Sequence, residues 1–329
     1  MLLPAPYPWS LVFASTEVIL PHNGICGPAE QGYRVSVFPR NVPLGSGELM
    51  FFTGVDIGST MTKVVIVGED QSVLVQHIGP TGAEHRRLAN RVMESALTEA
   101  GLSFHEVDFV VATGYGRFNV PFADRQITEL TCHAKGIFSQ FPNARTVIDI
   151  GGQDAKGLKL HKGKLIDFVM NDKCAAGTGR FLEVIADTFG LKFDDLGEMS
   201  LRSRQIVAIS STCTVFAQQE VVACLSKGVP VEDILAGLND AIADRTTNMV
   251  RRLRIEPDVV FTGGVAMNTG MVMALRKKLG CEVLVPPQPL LSGALGAALL
   301  GREYVLDRLA RNEPIPRKER KLVEASFFE

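Results

Sequence analysis

The chain has 329 residues, of which 46% are hydrophobic and 21% charged, with a formal net charge of −2. A chain of this length buries a sizeable core and typically divides into about two domains, and its near-neutral charge gives no reason to expect a nucleic acid or an anionic membrane as partner. The six cysteines form no CxxC pair and no regular short spacing, which argues against a zinc ribbon or a disulfide framework and favours a reducing cytoplasm.

The first 49 residues differ in composition from the rest of the chain. They contain seven prolines and frequent glycines, and no helical or alternating pattern persists through them. We therefore predict a poorly ordered extension over residues 1–49. A start codon placed too far upstream of Met50 would explain this segment. Mass spectrometry of the natural protein that recovers peptides from residues 1–40 would contradict that explanation.

Neither the N-terminus nor any later segment resembles a membrane-targeting element. The weakly apolar stretch at residues 10–20 contains Ser15, Thr16 and Glu17 and follows no positive charge, so it makes a poor signal peptide. Apolar runs elsewhere are far shorter than the ~20 residues of a membrane helix. We expect a cytoplasmic protein without a membrane span.

From Met50 onward, short β-branched runs alternate with amphipathic stretches, which is typical of layered α/β architecture. The pattern predicts strands at 51–57, 63–68, 73–78, 107–112, 145–150, 155–160, 164–170, 258–262 and 282–285. It predicts helices at 83–100, 125–140, 178–189, 215–227, 231–253, 267–279 and 292–302. The sequence VDIGS at 55–59 recurs as IDIGG at 148–152, 93 residues later. Two such strand-turn units predict a duplicated fold with a cleft between its halves, divided near residue 143.

Each copy of the repeat ends a strand in Asp-x-Gly, which brings a carboxylate to the cleft and offers backbone N–H groups to phosphate. We expect Asp56 and Asp149 to face each other across the phosphates and to hold Mg²⁺ through its waters. Gln153 is the candidate for orienting the attacking water. A single Asp-x-Gly would be an ordinary strand-end turn, but two copies favour a nucleotide site. The candidate phosphate-binding residues are Gly58, Ser59, Thr60, Met61, Thr62, Lys63, Gly151 and Gly152.

Two further glycine clusters follow. The sequence FTGGVAMN at 261–268 ends an apolar strand and opens a helix, so Gly263, Gly264 and Asn268 are candidates for a platform beneath an adenosine. The cluster at 293–298 is interpreted mainly as a close helix-packing face. Neither GxxxxGK[ST] nor GxGxxG occurs, which argues against a P-loop NTPase and a classical dinucleotide binder.

In this order, GVDIGST, VIDIGGQD, FTGGVAMN and SGALGAA resemble the motifs shared by actin, sugar kinases and heat-shock chaperones. The resemblance implies a duplicated, RNase H-like α/β fold of the actin-like ATPase class, with Mg-ATP in a cleft between two domains. It implies one ATPase subdomain at 50–143 and a second, carrying the cysteine motifs, at 144–303. Residues 304–329 are then a charged C-terminal tail.

Two cysteine motifs distinguish this chain from a kinase. They are NDKCAAGTGRF at 171–181 and SSTCTVFA at 210–217, and each cysteine, Cys174 and Cys213, is predicted at the start of a helix. A helix N-terminus lowers a thiol's pKa and stabilises an anionic ligand. Gly177 and Gly179 leave backbone N–H groups accessible to cluster sulfur. Two cysteines are half the ligand set of a 4Fe–4S cluster, which a symmetric homodimer would complete.

The alternative for any such cysteine is a buried small hydrophobic residue. We apply that interpretation to Cys132, Cys224 and Cys281, and Cys26 lies in the extension. Glu129 and His133 lie four residues apart on a predicted helix. Because the HExxH spacing is absent, we interpret them as structural rather than as a metal site.

The cysteine motifs, with ATGYGR at 112–117 and ITELTCHAKG at 127–136, resemble the activator family of 2-hydroxyacyl-CoA dehydratases and the related ATP-binding subunits of benzoyl-CoA reductase. The resemblance covers about residues 53–301. It implies a 4Fe–4S cluster that bridges two subunits through Cys174 and Cys213. It also implies ATP-driven transfer of one electron, from a donor such as ferredoxin or flavodoxin, to a partner that acts on a CoA thioester.

Three alternatives remain open at this point. The chain could be an integral subunit of a benzoyl-CoA reductase-type complex, which would co-purify with large partner subunits. It could be a small-molecule kinase of the same fold. It could also be a non-enzymatic nucleotide switch, and either of the last two would lack a cluster.

Overall fold

The computed structural model describes residues 36–37, 49–82, 84–210, 213–318 and 322. The predicted N-terminal extension lies outside these residues except for positions 36–37 and 49. Among the described residues the strands are β1 (Ser36–Val37), β2 (Phe51–Ile57), β3 (Met61–Gly68), β4 (Val73–Pro80), β5 (Val107–Thr113), β6 (Arg125–Gln126), β7 (Thr146–Ile150), β8 (Ala155–His161), β9 (Lys164–Asn171), β10 (Val259–Thr262) and β11 (Val283–Leu284). The α-helices are α1 (His85–Ala100), α2 (Glu129–Gln140), α3 (Gly179–Phe189), α4 (Asp195–Leu201), α5 (Thr214–Ser226), α6 (Val231–Val250), α7 (Thr269–Leu279) and α8 (Ser292–Ala310).

The strands form two mixed sheets with the same topology. The first has the order β1-β4-β3-β2-β5-β6 and the second β11-β10-β7-β8-β9. In each sheet three consecutive strands pair antiparallel, β2-β3-β4 in one and β7-β8-β9 in the other. The next strand, β5 or β10, adds in parallel to the first of the three, and β6 or β11 adds in parallel to that strand. Only β1, antiparallel to β4 at the edge of the first sheet, has no counterpart among the described residues of the second. The duplication predicted from the repeated Asp-x-Gly motif is therefore confirmed, strand by strand.

The predicted strands all occur, and the helix predictions differ from the structure in three places. Residues 125–126 form β6, so the helix predicted from residue 125 begins only at Glu129. Helix α4 was not predicted, because seven residues carry too little periodicity. Helix α8 continues to Ala310 rather than ending near 302, since Val305 is buried and the ring of Tyr304 lies 5.3 Å from that of Phe109. None of the described helices is long and apolar enough to cross a bilayer.

Helices α2 and α8 pack against each other between the two sheets. Alanines of α8 join Phe52 and Phe109 in the core of the first sheet, whereas Ile137 of α2 joins Val147 and Leu158 of the second. Residue 143 divides the sequence into two halves. Helix α8 belongs to the second half of the sequence, but it packs against the sheet formed by the first half. This helix pair connects the two halves beneath the cleft.

The crossing of α2 and α8 depends on two glycines. A Cβ on Gly136 would stand 2.0 Å from the carbonyl oxygen of Ser292, and one on Gly296 would stand 1.7 Å from that of Cys132. Such separations are far below van der Waals contact, and the blocking atoms are backbone, which cannot move aside by rotamer change. Only glycine allows the two helix backbones to approach this closely.

We expect Gly296→Ala to lower the free energy of unfolding by about 3 kcal/mol, at the upper end of the cost of overpacking. Urea denaturation of the full chain would measure it. Gly301→Ala, on the same helix, is the matched control because its Cβ would meet only the side chains of Val111 and Phe109, at 3.0 and 3.3 Å. The free energy of unfolding of this control should stay close to that of the wild type, since the better helix propensity of alanine offsets mild crowding. Equal stability of the two variants would contradict the prediction.

Candidate functional site

The two Asp-x-Gly turns have the same backbone structure and meet each other. The N–H of Gly58 donates to the carbonyl of Met61 at 3.0 Å, and the N–H of Gly151 donates to that of Asp154 at 3.0 Å. Across the gap between the halves, a Cβ on Gly152 would stand 2.2 Å from Oγ1 of Thr60. The structure thus brings the two predicted phosphate turns together, one from each sheet.

Each turn aspartate is paired with a lysine on the neighbouring strand. Asp56 lies opposite Lys63 and Asp149 opposite Lys156 in the strand registers, and in both pairs Nζ lies 3.3 Å from Oδ2. The Nζ of Lys63 also overhangs the first turn, because a Cβ on Gly58 would lie 3.0 Å from it. Its ammonium therefore lies directly beside the backbone of that turn.

Lys156 occupies a more enclosed position than Lys63. Besides Asp149, its Nζ lies 2.7 Å from Oδ1 of Asp154 and 3.3 Å from Oε1 of Glu129. Burial disfavours its charge, but these three carboxylates outweigh burial and raise the pKa of Lys156 above its usual value. Burial likewise opposes ionisation of Asp149, yet His133 and Lys156 together lower the pKa of this carboxyl. Asp149 therefore stays ionised and Lys156 stays protonated at neutral pH.

Two glycines with positive φ make room for the carboxylates. Gly114 follows β5 with φ 83° and Gly263 follows β10 with φ 88°. A Cβ would lie 2.3 Å from Oδ1 of Asp56 in the first case and 2.7 Å from Oδ1 of Asp149 in the second. The duplication makes these two loops equivalent. In each loop, a side chain at the glycine position would displace the aspartate.

The predicted adenosine platform forms a short 3₁₀ helix at Gly264–Met267, directly after Gly263. Asn268 ends it and caps α7, because its Oδ1 accepts the N–H of Met271 at 2.9 Å. Its Nδ2 has no hydrogen-bond partner in the described part of the chain. The oxygen of Asn268 is therefore committed to the helix cap, and only the amide nitrogen remains for a ligand.

The remaining candidates at the turns differ in exposure. Ser59 is half-buried and Gln153 is exposed. Thr62 is fully buried, and its hydroxyl oxygen lies 2.8 Å from that of Thr81, so this side chain is not presented at the turn surface. Met61 contributes its backbone carbonyl to the first turn, where it accepts the N–H of Gly58.

The two motif cysteines are both half-buried but lie in different local structures. Cys213 is the N-cap residue of α5, as predicted. Cys174 lies in the loop after β9, and α3 begins only at Gly179, so the prediction of a helix start at Cys174 is wrong. The carbonyl of Cys174 instead accepts a hydrogen bond from Nδ2 of Asn171 at 2.9 Å. Of the two motif cysteines, Cys213 alone therefore lies at a helix N-terminus.

The start of α3, the helix that follows the Cys174 loop, is hydrogen-bonded to the second Asp-x-Gly turn. The N–H of Gly179 donates to the carbonyl of Gly151, and the N–H of Arg180 donates to that of Gly152, both at 2.8 Å. Displacement of this turn therefore displaces the start of α3, and the loop that holds Cys174 ends at that helix.

The other described cysteines fit the interpretation as core residues. Cys132 is fully buried, and burial raises the pKa of its thiol to about 12, so it does not supply a thiolate. Cys224 and Cys281 are half-buried and pack against the hydrophobic core of the second sheet.

Sequence reasoning missed Lys156 and its contacts. The signal was present, because each repeat carries a lysine seven residues after its aspartate, Lys63 after Asp56 and Lys156 after Asp149. The contacts of Lys156 with Glu129, and of Asp149 with His133, had no such signal, since α2 lies outside both repeats. Glu129 pairs with Lys156, and Nε2 of His133 lies 3.9 Å from Oδ2 of Asp149, so the structural interpretation of these two residues stays a prediction.

The side chains and backbone groups at the two turns, and the two motif thiols, suit the ligands that the motifs imply, which are Mg-ATP and an iron–sulfur cluster. Buried carboxylates beside backbone N–H turns and an overhanging ammonium suit a hydrated Mg²⁺ with a polyphosphate. Within the described residues no group of three or more His, Cys, Asp or Glu is placed to hold a metal ion, and Mg²⁺ ordinarily needs only one or two carboxylates together with its own waters. Two half-exposed thiols suit half of a four-thiolate cluster.

Comparison with known proteins identifies the family. The family model described as "BadF/BadG/BcrA/BcrD ATPase family" matches residues 53–301. The chain is 47% identical over 256 residues to a 2-hydroxyisocaproyl-CoA dehydratase activator of Clostridioides difficile, a match that covers 76% of this chain and 94% of that protein. It is 30% identical over 273 residues to one of the benzoyl-CoA reductase subunits of Thauera aromatica, covering 79% of this chain and 96% of that protein.

The solved structures agree. The activator of the 2-hydroxyisocaproyl-CoA dehydratase from Clostridium difficile, with bound ADPNP, matches with a TM-score of 0.76 and 44% identity, covering 81% of this chain and 99% of that one. The actin-like ATPase fold expected from the motifs is confirmed by this match and by the duplicated sheets. On its sequence and its fold, the chain belongs to the BadF/BadG/BcrA/BcrD ATPase family.

Proposed function

We propose that this protein is an ATP-driven activator that passes one low-potential electron to a CoA-thioester dehydratase or related reductase, through a 4Fe–4S cluster bridging two copies of the chain. Relatives that are 47% and 45% identical are named as activators of 2-hydroxyisocaproyl-CoA and lactoyl-CoA dehydratases. The electron would come from a small carrier such as ferredoxin or flavodoxin, so that one electron enters and one leaves in each cycle.

The observation that carries this proposal is the backbone connection between the second Asp-x-Gly turn and the start of α3, the helix that follows the Cys174 loop. Gly151 and Gly152 lie beside Asp149, and their carbonyls hold the first two N–H groups of α3. Closing the cleft on ATP would move this turn relative to the first sheet, and α3 and the Cys174 loop would move with it. The nucleotide would thereby bias the geometry around the thiols.

The two thiols suit a cluster shared between copies of the chain. Cys174 and Cys213 supply two of four thiolates, and a twofold axis would supply the other two. When bound, the cluster provides a centre that accepts and releases one electron. On the first turn of α5, beside Cys213, Val215 and Phe216 are 59% and 60% exposed. Exposed apolar side chains at this position suit burial against a second copy or the partner.

Hydrolysis of ATP needs positioning and charge neutralisation rather than a covalent intermediate. Asp56 and Asp149 would orient the waters of Mg²⁺, and Lys63 and the backbone N–H groups of both turns would bind the phosphates. Gln153, exposed at the second turn, would orient the attacking water.

An integral subunit of a benzoyl-CoA reductase-type complex is the second candidate, favoured by the similarity to the benzoyl-CoA reductase subunit of Thauera aromatica. It shares the ATPase and the cluster and differs only in how tightly the partner is held. Co-purification of the natural protein with large subunits would favour it over a freely dissociating activator. A small-molecule kinase would leave the two half-exposed cysteines without a role.

Anaerobic purification followed by iron, sulfide and EPR analysis tests the proposal. We expect about four iron atoms per dimer and an EPR signal of the reduced protein that changes on addition of Mg-ATP. A monomer that stays colourless after reconstitution with iron and sulfide would contradict the cluster and favour a kinase or a nucleotide switch.

A further inference from the structure

His133 lies at the base of the cleft between the carboxylates of the two halves. It is on α2 and is 8% exposed. Its Nε2 lies 3.9 Å from Oδ2 of Asp149, which is beyond hydrogen-bond distance. The imidazole is therefore close to the second carboxylate without being bonded to it.

The same ring nitrogen also borders the carboxylate of the first half. A Cβ on Gly293, at the start of α8, would stand 3.1 Å from Oδ2 of Asp56 and 3.2 Å from Nε2 of His133. Both atoms thus face one small space, which remains open because residue 293 has no side chain. Asp56 of β2 and His133 of α2 border this space, and Asp149 of β7 lies near the same ring nitrogen, with its Oδ2 3.9 Å from Nε2 of His133.

The imidazole lacks the hydrogen bonds that a buried histidine ordinarily makes. Its Nδ1 is buried and has no partner among the described residues. Buried polar groups in folded proteins are almost always paired with protein or with ordered water. By contrast, His77 is equally buried, at 8% exposed, and its Nδ1 lies 2.7 Å from Oε1 of Glu99. His77 is therefore accounted for by the fold, and His133 is not.

We propose that His133 is a positioning residue of the Mg-nucleotide site, whose Nε2 orients the water ligands of the cation between Asp56 and Asp149. The inference rests on the proposed function and adds to it a third side chain at the cation. Mg²⁺ prefers oxygen ligands and keeps several of its waters, so the imidazole acts on those waters rather than on the ion. Residues that orient a metal's ligands commonly contribute about 10–100-fold to metal affinity.

The position of His133 on α2 gives this contact a structural consequence. Helix α2 packs on the second sheet and crosses α8, which packs on the first. A cation bound between the aspartates would therefore be linked through His133 to the helix pair that joins the halves.

The test measures binding of ADP and a non-hydrolysable ATP analogue to the full chain as a function of Mg²⁺ concentration. Three variants distinguish the roles of the two ring nitrogens. A glutamine amide reaches the position of Nε2, an asparagine amide reaches that of Nδ1, and leucine has neither polar group. We expect His133→Asn and His133→Leu to raise the Mg²⁺ concentration for half-maximal binding about tenfold. We expect His133→Gln to stay within about threefold, and binding in EDTA to be unchanged in all three.

Two further variants keep the inference falsifiable if a His133 variant folds poorly. Gly293→Ala leaves the imidazole intact but places a methyl group in the shared space, and it should also raise the Mg²⁺ requirement. His77→Asn is the matched control, equally buried and remote from the cleft, and should leave that requirement unchanged. Melting temperatures of all variants identify general destabilisation.

The outcomes separate this inference from the proposed function. If folded His133→Asn and Gly293→Ala bind Mg-nucleotide with the wild-type Mg²⁺ dependence, His133 has only a packing role and the inference is wrong. A change of equal size in His133→Gln and His133→Leu would also overturn it, since Nε2 would then not be the acting atom. Failure of the wild-type chain to bind Mg-nucleotide would instead refute the proposed function.

Discussion

Cys174→Ser and Cys213→Ser are each expected to abolish cluster binding while nucleotide binding persists. Every chain of a symmetric dimer carries the substitution, so one change removes two of the four thiolates. A serine hydroxyl has too high a pKa to replace a thiolate ligand. Iron and sulfide content, the visible spectrum and the EPR signal after anaerobic reconstitution would measure the loss, and nucleotide titration would show that the cleft is intact.

Cys224→Ser is the matched control for these variants. Cys224 lies on α5, the same helix that Cys213 caps, and is also half-buried, but it packs against the core of the second sheet. We expect this variant to retain the cluster at a small cost in stability. Loss of iron in Cys224→Ser, or full iron content in Cys174→Ser, would show that the ligands are assigned to the wrong residues.

Asp149→Asn is expected to reduce the rate of ATP hydrolysis by at least about 100-fold, in the range found when one electrostatic contact to a transition state is removed. The substitution keeps the shape of the side chain but removes the charge that would orient the hydrated cation. Lys156 keeps two carboxylate partners, Asp154 and Glu129, so we expect the fold to survive. Steady-state phosphate release at saturating Mg-ATP measures the effect.

Asp233→Asn provides the comparison for that result. Asp233 is as buried as Asp149, at 3% exposed, but it lies on α6 and accepts the backbone N–H groups of Arg204 and Gln205 at 2.7 and 3.2 Å. We expect this variant to lose stability with no change in the turnover of the folded protein. ATP hydrolysis by Asp149→Asn at close to the wild-type rate would refute the role of Asp149.

The elements closest to the nucleotide were predictable because their signals are local. A strand that ends in Asp-x-Gly is visible in five residues, and its recurrence at Asp149 indicated the duplicated sheets that the structure confirms. The end of α8 was not predictable in the same way. Its last turns alternate charged residues with Tyr304 and Val305, and only the first sheet, on which they pack, distinguishes an amphipathic helix from a charged tail.

The positions of the two motif cysteines relative to the following helices were also only partly predictable from the sequence. Their glycines indicated a strand or loop leading into a helix, and this is correct for Cys213. For Cys174 the helix begins later, because Gly177 has φ 87° and Thr178 has an extended backbone, so the helix can start only at Gly179. Residue types alone did not distinguish a cysteine at a helix cap from one in the preceding loop.

The amino-acid sequence by itself indicated nine of the eleven described strands, seven of the eight described α-helices, the duplication, the two turn aspartates and the two motif cysteines, since each depends on a short run of neighbouring residues. The tertiary structure alone decided which of these groups meet. It placed α8 on the first sheet, Lys156 against Glu129, His133 between two aspartates, and the start of α3 on the second phosphate turn. These contacts join residues that are distant along the chain, and hydrophobic periodicity shows that a face is buried without showing what covers it.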